Sequence, residues 1–145
     1  MKLSTKGRYG VRLMADLALH FGQKPVLLKD IAQRQDISEK YLWQLIPPLK
    51  VAGLVSSTRG VHGGYKLAKS PAQITLKDIV LVLEKPICFA ECVNAPSLCN
   101  RASNCTFREI WEEITQSTLS ILESFTLEKI IDKHQRKTKV ATYHI

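Results

Sequence analysis

Residues 28–68 constrain the fold most. Two short helical patterns meet across a two-residue turn, and two β-prone runs then flank a glycine-rich loop. The first helix is predicted over 29–35, with Ile31 and Ala32 inward. Asp36 and Ile37 turn the chain, and Ser38 is placed to cap the next helix, because its hydroxyl can accept from a free first-turn N–H. That second helix buries Leu42, Leu45, Ile46 and Leu49 at helical spacing and presents Lys40, Trp43, Pro47 and Lys50 on its other side. Pro47-Pro48 predicts a kink or an end near Ile46, since an internal proline loses a hydrogen bond and clashes with the preceding turn. Gly53 then stops the helix. The runs 54–58 and 65–68 enclose Arg59-Gly60-Val61-His62-Gly63-Gly64 and read as a hairpin. Two helices in so tight a turn, followed by a hairpin, make a winged helix. The expected fold class is therefore mainly α with a small β-hairpin wing.

The remaining elements are arranged around that unit. Ser4 or Thr5 caps a first helix with Tyr9, Leu13, Met14, Leu17, Ala18 and Phe21 on its apolar stripe, and Gly22 and Pro25 end it. Arg8 and Arg12 lie one turn apart, off that stripe, where they can face an acidic partner. Thr75 and Asp78 form a capping pattern for a connecting helix through Glu84, within residues 70–84. Residues 85–105 have no periodicity. A long helix starts near Thr106, and Trp111, Ile114, Thr118, Ile121 and Phe125 recur at spacings of three and four, widened by Ile110 and Leu122. That pattern resembles a dimer seam more than a helix lying on its own small domain, which is the alternative. We assign 1–69 to DNA binding, with the helix-turn-helix at about 28–51 and the wing at 54–68. Residues 85–105 form a cysteine-rich loop, 106–131 the dimerisation helix with a short segment at 127–131, and 132–145 a basic flexible tail.

Charge separates the two halves. Of 21 Lys+Arg and 13 Asp+Glu in 145 residues, 12 bases and 4 acids fall in 1–69, so the whole net charge of +8 lies there. A basic half beside a neutral one fits a polyanion-binding module on a scaffold. The longest apolar run, residues 79–83, is too short to span a bilayer. The basic N-terminus precedes an apolar stretch, but Asp16 and His20 interrupt it and no small-residue cleavage site follows, so a signal peptide is rejected and a cytoplasmic protein expected. The four His are scattered and no Ser or Cys nucleophile has an evident base. The chain is read as no enzyme, with no small-molecule substrate and no membrane partner.

A winged helix lays its second motif helix in the major groove of double-stranded DNA and its hairpin against the backbone or minor groove. The groups placed to meet DNA are Ser38, Glu39, Lys40, Tyr41, Trp43 and Gln44 on that helix, Arg59, His62 and Gly63 on the wing, and Arg8. Gln44 can read adenine in two-point fashion, Glu39 can accept from cytosine, and Lys40 suits phosphate or guanine. Trp43 either packs on thymine methyl groups or belongs to the core. Arg59 can enter a narrow minor groove, and His62 is either a contact or a solvated loop residue. Gly60, Gly63 and Gly64 serve the turn rather than a phosphate cradle.

Four cysteines, Cys88, Cys92, Cys99 and Cys105, crowd into 18 residues of a chain read as intracellular, where disulfides are disfavoured. The spacing lacks the close Cys-x2-Cys pairs of zinc knuckles. Soft anionic thiolates on a flexible loop suit an iron–sulfur cluster, and Cys105 precedes a helix whose positive dipole end favours thiolate. A thiol redox switch and a zinc site remain open on spacing alone.

The chain resembles the winged-helix transcription regulators typified by IscR, NsrR, RirA and CymR. The matching residues run from Leu3-Ser4-Thr5-Lys6-Gly7-Arg8-Tyr9 through Ile37-Ser38, Tyr41-Leu42 and Gln44-Leu45. They continue in Gly53-Leu54-Val55-Ser56-Ser57, Arg59-Gly60, Gly63-Gly64-Tyr65 and the three later cysteines. The resemblance implies a cytosolic homodimer on a palindromic operator. It also implies a cluster held by Cys92, Cys99 and Cys105, with 2Fe-2S favoured over 4Fe-4S. Two departures stand out. The iron–sulfur assembly regulators place a ligating His three residues after the third cysteine, where this chain has Arg108, and the nitric-oxide sensors use an acid near the N-terminus, where it has Lys6-Gly7-Arg8. Cys88 is the local candidate for a fourth ligand, with a water, a cross-subunit group or a small thiol as alternatives and a plain buried cysteine as the other reading of Cys88. Glu39 and Trp43 also depart from the assembly regulators, so the operator does not carry over. A cluster-free regulator of sulfur metabolism and, from another class, a small iron–sulfur redox carrier are the competing readings.

Overall fold

The computed structural model describes residues 2–143. Its elements are α1 (Thr5–Leu19), α2 (Leu28–Gln35), α3 (Glu39–Val51), β1 (Val55–Thr58), β2 (Gly64–Leu67), α4 (Leu76–Leu83), α5 (Glu91–Asn94), α6 (Thr106–Ser124) and α7 (Leu127–Tyr143). The mainly helical fold with one antiparallel hairpin is the winged helix expected.

The core forms where apolar stripes of α1, α2, α3 and α4 converge. Leu13, Met14, Leu17, Ile31, Leu42, Leu45, Leu49 and Ile79 are fully buried there. Helix α1 starts at Ser4, whose hydroxyl accepts from the Gly7 N–H at 3.1 Å, while its own N–H and O–H donate to Glu84 Oε1 at 2.9 and 2.5 Å. The end of α4 thus holds the start of α1. The two helices approach closely because Gly10 carries no side chain; a Cβ there would lie 1.9 Å from Leu83 Cδ1. Phe21, expected on the buried stripe, is exposed instead, because α1 ends at Leu19 and the residue falls outside the helical register.

Helix α3 does not break at Pro47-Pro48 but runs through both to Val51. The carbonyls deprived of a donor are those of Trp43 and Gln44, on the solvent side, while Leu42, Leu45, Ile46 and Leu49 hold the opposite face in the core. Solvent-side carbonyls tolerate such losses because water replaces the bond. The hairpin pairs Val55 with Leu67, Ser56 with Lys66, Ser57 with Tyr65 and Thr58 with Gly64. Tyr65 also exchanges two 2.8 Å backbone hydrogen bonds with Val26, which extends the sheet beyond the hairpin. Gly64 makes this pairing possible: at φ +150°, any Cβ would sit 2.6 Å from the Val26 carbonyl oxygen.

Two expectations for the C-terminal half need correction. The region 106–131 is not one helix, because α6 ends at Ser124 and a second helix, α7, starts at Leu127. The Leu76 N–H donates to the Phe125 carbonyl at 2.7 Å and that of Leu127 to Ile74 at 2.9 Å, which seats Leu127 in the core. The basic segment expected to be a flexible tail is helical as far as Tyr143; residues 144–145 of that assignment lie outside the described residues. Ile130 and Ile131 pack against the core and anchor the first turns of α7, and an existing helix is extended at little cost once nucleated.

Asp16, which interrupts the apolar stripe of α1, is buried and paired. Arg34 donates from Nε at 3.0 Å and Nη2 at 2.7 Å, and Gln35 Nε2 donates at 3.0 Å. Burial works to raise the carboxyl's pKa, but hydrogen bonds from Arg34 and Gln35, with the positive charges of Arg34 and His20, outweigh it and hold the group below its usual range. The unfolded chain therefore binds this proton more readily than the folded one. The linked stability is present above the ordinary aspartate pKa, near 4, and lost as pH falls through the folded value. An Asp16→Asn chain is expected to lose about 1–2 kcal/mol at neutral pH, the lower range for hydrogen bonds to charge because Arg34 stays half-exposed. Urea midpoints from pH 7 to pH 3 should fall less steeply for the variant than for the parent.

Candidate nucleic-acid interface and cysteine loop

Ser38 caps α3, accepting from the Tyr41 N–H at 3.1 Å, so its hydroxyl is committed to the helix start. Glu39, Lys40, Trp43 and Gln44 are exposed along one outer face. Tyr41 is half-buried, with its ring edge-on to Tyr9 at 5.4 Å, in the joint between α3 and α1. Trp43 is 53% exposed. The alternative that it belongs to the core is set aside by this exposure, and its ring lies edge-on to Tyr65 of the wing at 6.1 Å.

A second tie joins α3 to the wing: Lys50 Nζ donates to Ser57 Oγ at 2.8 Å. Between the start of α2, the outer face of α3 and the hairpin lies a groove of about 590 Å³, whose walls include Lys29, Glu39, Trp43, Lys50, Arg59 and Tyr65. Arg59 and His62 are exposed at the wing tip, and Gly63 is half-buried against the Thr58 carbonyl. Arg8 is exposed and reaches Thr5 Oγ1 at 3.3 Å. Arg12 is not free for an acidic partner: it donates to the Gln35 side chain at 3.3 Å and to the Gln35 carbonyl, and lies over the Tyr9 ring. Lys29 and Tyr65 were missed as groove residues. Their signal was weak, because each belongs to its neighbours only once α2 and the hairpin are folded against α3.

The cysteine loop holds one-turn α5 and two 3-10 turns, Pro96–Leu98 and Ala102–Asn104. Cys88, Cys92 and Cys105 are half-buried free thiols and Cys99 is exposed. Three contacts pin the loop to α6. Phe89 stacks on Trp111 at 6.4 Å with 7° between planes, the Phe89 N–H donates to Thr115 Oγ1 at 3.4 Å, and Arg108 Nε donates to the Cys92 carbonyl at 3.1 Å. Trp111 thus packs against the chain's own loop. Thr115 is buried and Thr118 and Leu122 are half-buried on the inward side, whereas Phe107, Ile110 and Ile121 are exposed.

The cysteines supply soft sulfur donors suited to an iron–sulfur cluster. As folded, however, they are not gathered: among the described residues no three His, Cys, Asp or Glu side chains are placed to hold a metal ion. Arg108, a permanent cation with no lone pair to give, cannot serve as a ligand. Cys88 lines a separate cavity under the start of α1. No helix among the described residues is long and apolar enough to cross a membrane.

Residues 3–133 match the family model described as Rrf2, iron-dependent transcriptional regulator. The chain is 44% identical over 131 residues to the rrf2 protein of Nitratidesulfovibrio vulgaris strain Hildenborough, covering 90% of this chain and 87% of that one. It is similar to the solved structure of CymR, the global cysteine regulator of B. subtilis, with 44% identity and a TM-score of 0.76 over 92% of this chain and 98% of that one. T. potens IscR is equally similar, at 43% identity and a TM-score of 0.75 over 92% and 88%. The family model is described as a transcriptional regulator and the B. subtilis relative as a cysteine regulator. With a family model spanning nearly the whole chain and relatives this similar along it, the chain belongs to the Rrf2 family of transcriptional regulators.

Proposed function

We propose that the chain acts in the cytoplasm as a homodimeric repressor, binding a palindromic operator in double-stranded DNA under the control of its cysteine loop. The observation that carries this reading is the exposed outer face of α3, tied to the wing at Trp43–Tyr65 and Lys50–Ser57 in the half that holds the net positive charge. Glu39, Lys40, Trp43 and Gln44 meet base edges. Ser38 and Tyr41 set the helix start that presents them. Arg59, His62 and Gly63 follow the backbone or minor groove, and Arg8 meets phosphate. The exposed apolar strip of α6 joins two copies so that their recognition helices meet half-sites about 34 Å apart.

For the signal, Cys92, Cys99 and Cys105, with Cys88 as the fourth donor, are the residues that would hold an iron–sulfur cluster, 2Fe-2S before 4Fe-4S. Such a cluster supplies redox and nitric-oxide sensitivity when bound. The chain's own part is to fasten the loop to α6, through Phe89, Thr115 and Arg108, so that a change in the loop is felt at the dimer helix. A second reading, a cluster-free regulator of cysteine metabolism with a thiol switch, is supported by the ungathered cysteines, by Arg108 and by the similarity to a cysteine regulator. A small redox carrier, by contrast, has no use for the basic groove and wing.

The visible spectrum of anaerobically purified protein separates the two regulators. A brown sample with sulfide-to-iron charge-transfer bands, bleached in a Cys92→Ser variant, is expected for a cluster. A sample colourless even after anaerobic reconstitution overturns the cluster and leaves the thiol switch.

A further inference from the structure

A cavity of about 750 Å³ opens between the start of α1, α4, the first residues of the cysteine loop and α6. Leu3, Val80, Leu83, Ile87 and Leu122 give it an apolar lining. Its size falls within the range of small-molecule pockets, and its lining has their usual composition. The charged groups at its edge are unevenly distributed. Lys2, Lys6 and Lys85 are exposed at the rim, and none has an ion-pair partner among the described residues. The one carboxylate in the wall, Glu84, accepts two hydrogen bonds from Ser4 through Oε1. Thr118 in the wall donates its hydroxyl to the Ile114 carbonyl and makes no demand on a ligand.

We propose that this cavity binds a small amphipathic anion, an acyl or aromatic body seated on the leucine-rich floor with a carboxylate, sulfonate or phosphate held at the lysine rim. An apolar floor recovers the hydrophobic free energy of the body. Three unpaired ammonium groups at the mouth discriminate in favour of negative charge, where a neutral molecule of the same shape gains nothing from them. The cavity is walled by the start of α1 in the DNA-binding region, by the connecting helix α4, by α6 and by Cys88, so a ligand there bridges the proposed reading unit, dimer helix and sensor loop. The site stands apart from the DNA groove between α3 and the wing, and from Cys92, Cys99 and Cys105.

The test uses the full chain and two fluorescent probes of one scaffold, 1-anilinonaphthalene-8-sulfonate and its neutral analogue N-phenyl-1-naphthylamine. The sulfonate is expected to bind saturably, one per protomer, about tenfold more tightly than the neutral probe. Decanoate should displace it. A Lys2→Gln, Lys6→Gln, Lys85→Gln chain, altered only at exposed positions, should lose the preference for the anion. In the cluster-free protein, where all four thiols are free, bound sulfonate should also slow alkylation of Cys88 by iodoacetamide severalfold, read by mass spectrometry, and leave Cys99 unaffected. Equal affinity for both probes overturns the inference, as does a preference that survives the triple substitution or an unprotected Cys88. So does the absence of saturable binding, which would mean that a second copy closes the cavity.

Discussion

A chain carrying Ile110→Glu and Ile121→Glu is expected to be a folded monomer that binds palindromic DNA about 100- to 10,000-fold more weakly than its parent. Both side chains lie largely in solvent, at 43% and 60% exposure, so neither supports the protomer's core. With Phe107 and Ile114 they form one strip along α6, while Trp111, Thr115, Thr118 and Leu122 face the chain's own loop and α4. Two carboxylates forced into an apolar seam lose their hydration without gaining partners, which opposes association by several kcal/mol. In the proposed dimer the second half-site is bound at the high effective concentration set by the first, and the monomer should lose that advantage. Sedimentation velocity reads the mass, a thermal melt matching the parent shows the fold intact, and fluorescence anisotropy reads the DNA affinity. A variant that stays dimeric moves the interface off this strip. A monomer that binds as well as the parent removes the dimer from the mechanism.

The helix-turn-helix and wing were legible because each element announces itself locally: Ser38 before an apolar period, Gly53 after it, glycines between two β-prone runs. The proline pair misled because a local rule, that proline ends a helix, met a tertiary fact. Four leucine and isoleucine side chains hold α3 in the core on the face away from the lost hydrogen bonds. Helix α7 was hidden for a related reason. Its charged second half has no periodic stripe, and its first turns are fixed by Leu127, a core residue only because the chain returns to Ile74. In α6, apolar spacing identified the helix but not its two sides. Trp111 and Ile110 both fit a seam by period, and only the stacking of Phe89 on Trp111 assigns one inward. The outer face of α3 is exposed, as its spacing predicts, yet Lys29 and Tyr65 come from elements whose relation to α3 is set by packing. Asp16 was seen only as an interruption of a stripe, since its partner Arg34 lies 18 residues away on another helix.

Gln44→Ala and Arg59→Ala are expected to damage DNA binding in distinguishable ways. Gln44 stands exposed on α3 with no hydrogen-bond partner for its side chain among the described residues, and a two-point contact to adenine contributes about 1–3 kcal/mol of discrimination. Its loss should lower affinity for the preferred operator about 5- to 100-fold per half-site and leave binding to unrelated DNA nearly unchanged, so the sequence preference collapses at one position. Arg59 is exposed at the wing tip, where the proposed reading sets its charge against backbone or a narrow minor groove. Its loss should weaken both kinds of DNA and reduce the slope of log affinity against log salt by about 0.9 for each phosphate contact removed. Lys50→Ala provides the link between the two. It breaks the tie to Ser57 that fixes the wing relative to α3, so it should lower operator affinity without changing which base Gln44 selects. Selection from a randomised duplex pool by the parent and each variant, with affinities measured across a salt series, reads all three. If Gln44→Ala keeps the parent's preference, the base-reading face of α3 is not the one turned outward beside Trp43. If the Arg59→Ala slope matches the parent's, the wing does not touch the phosphate backbone.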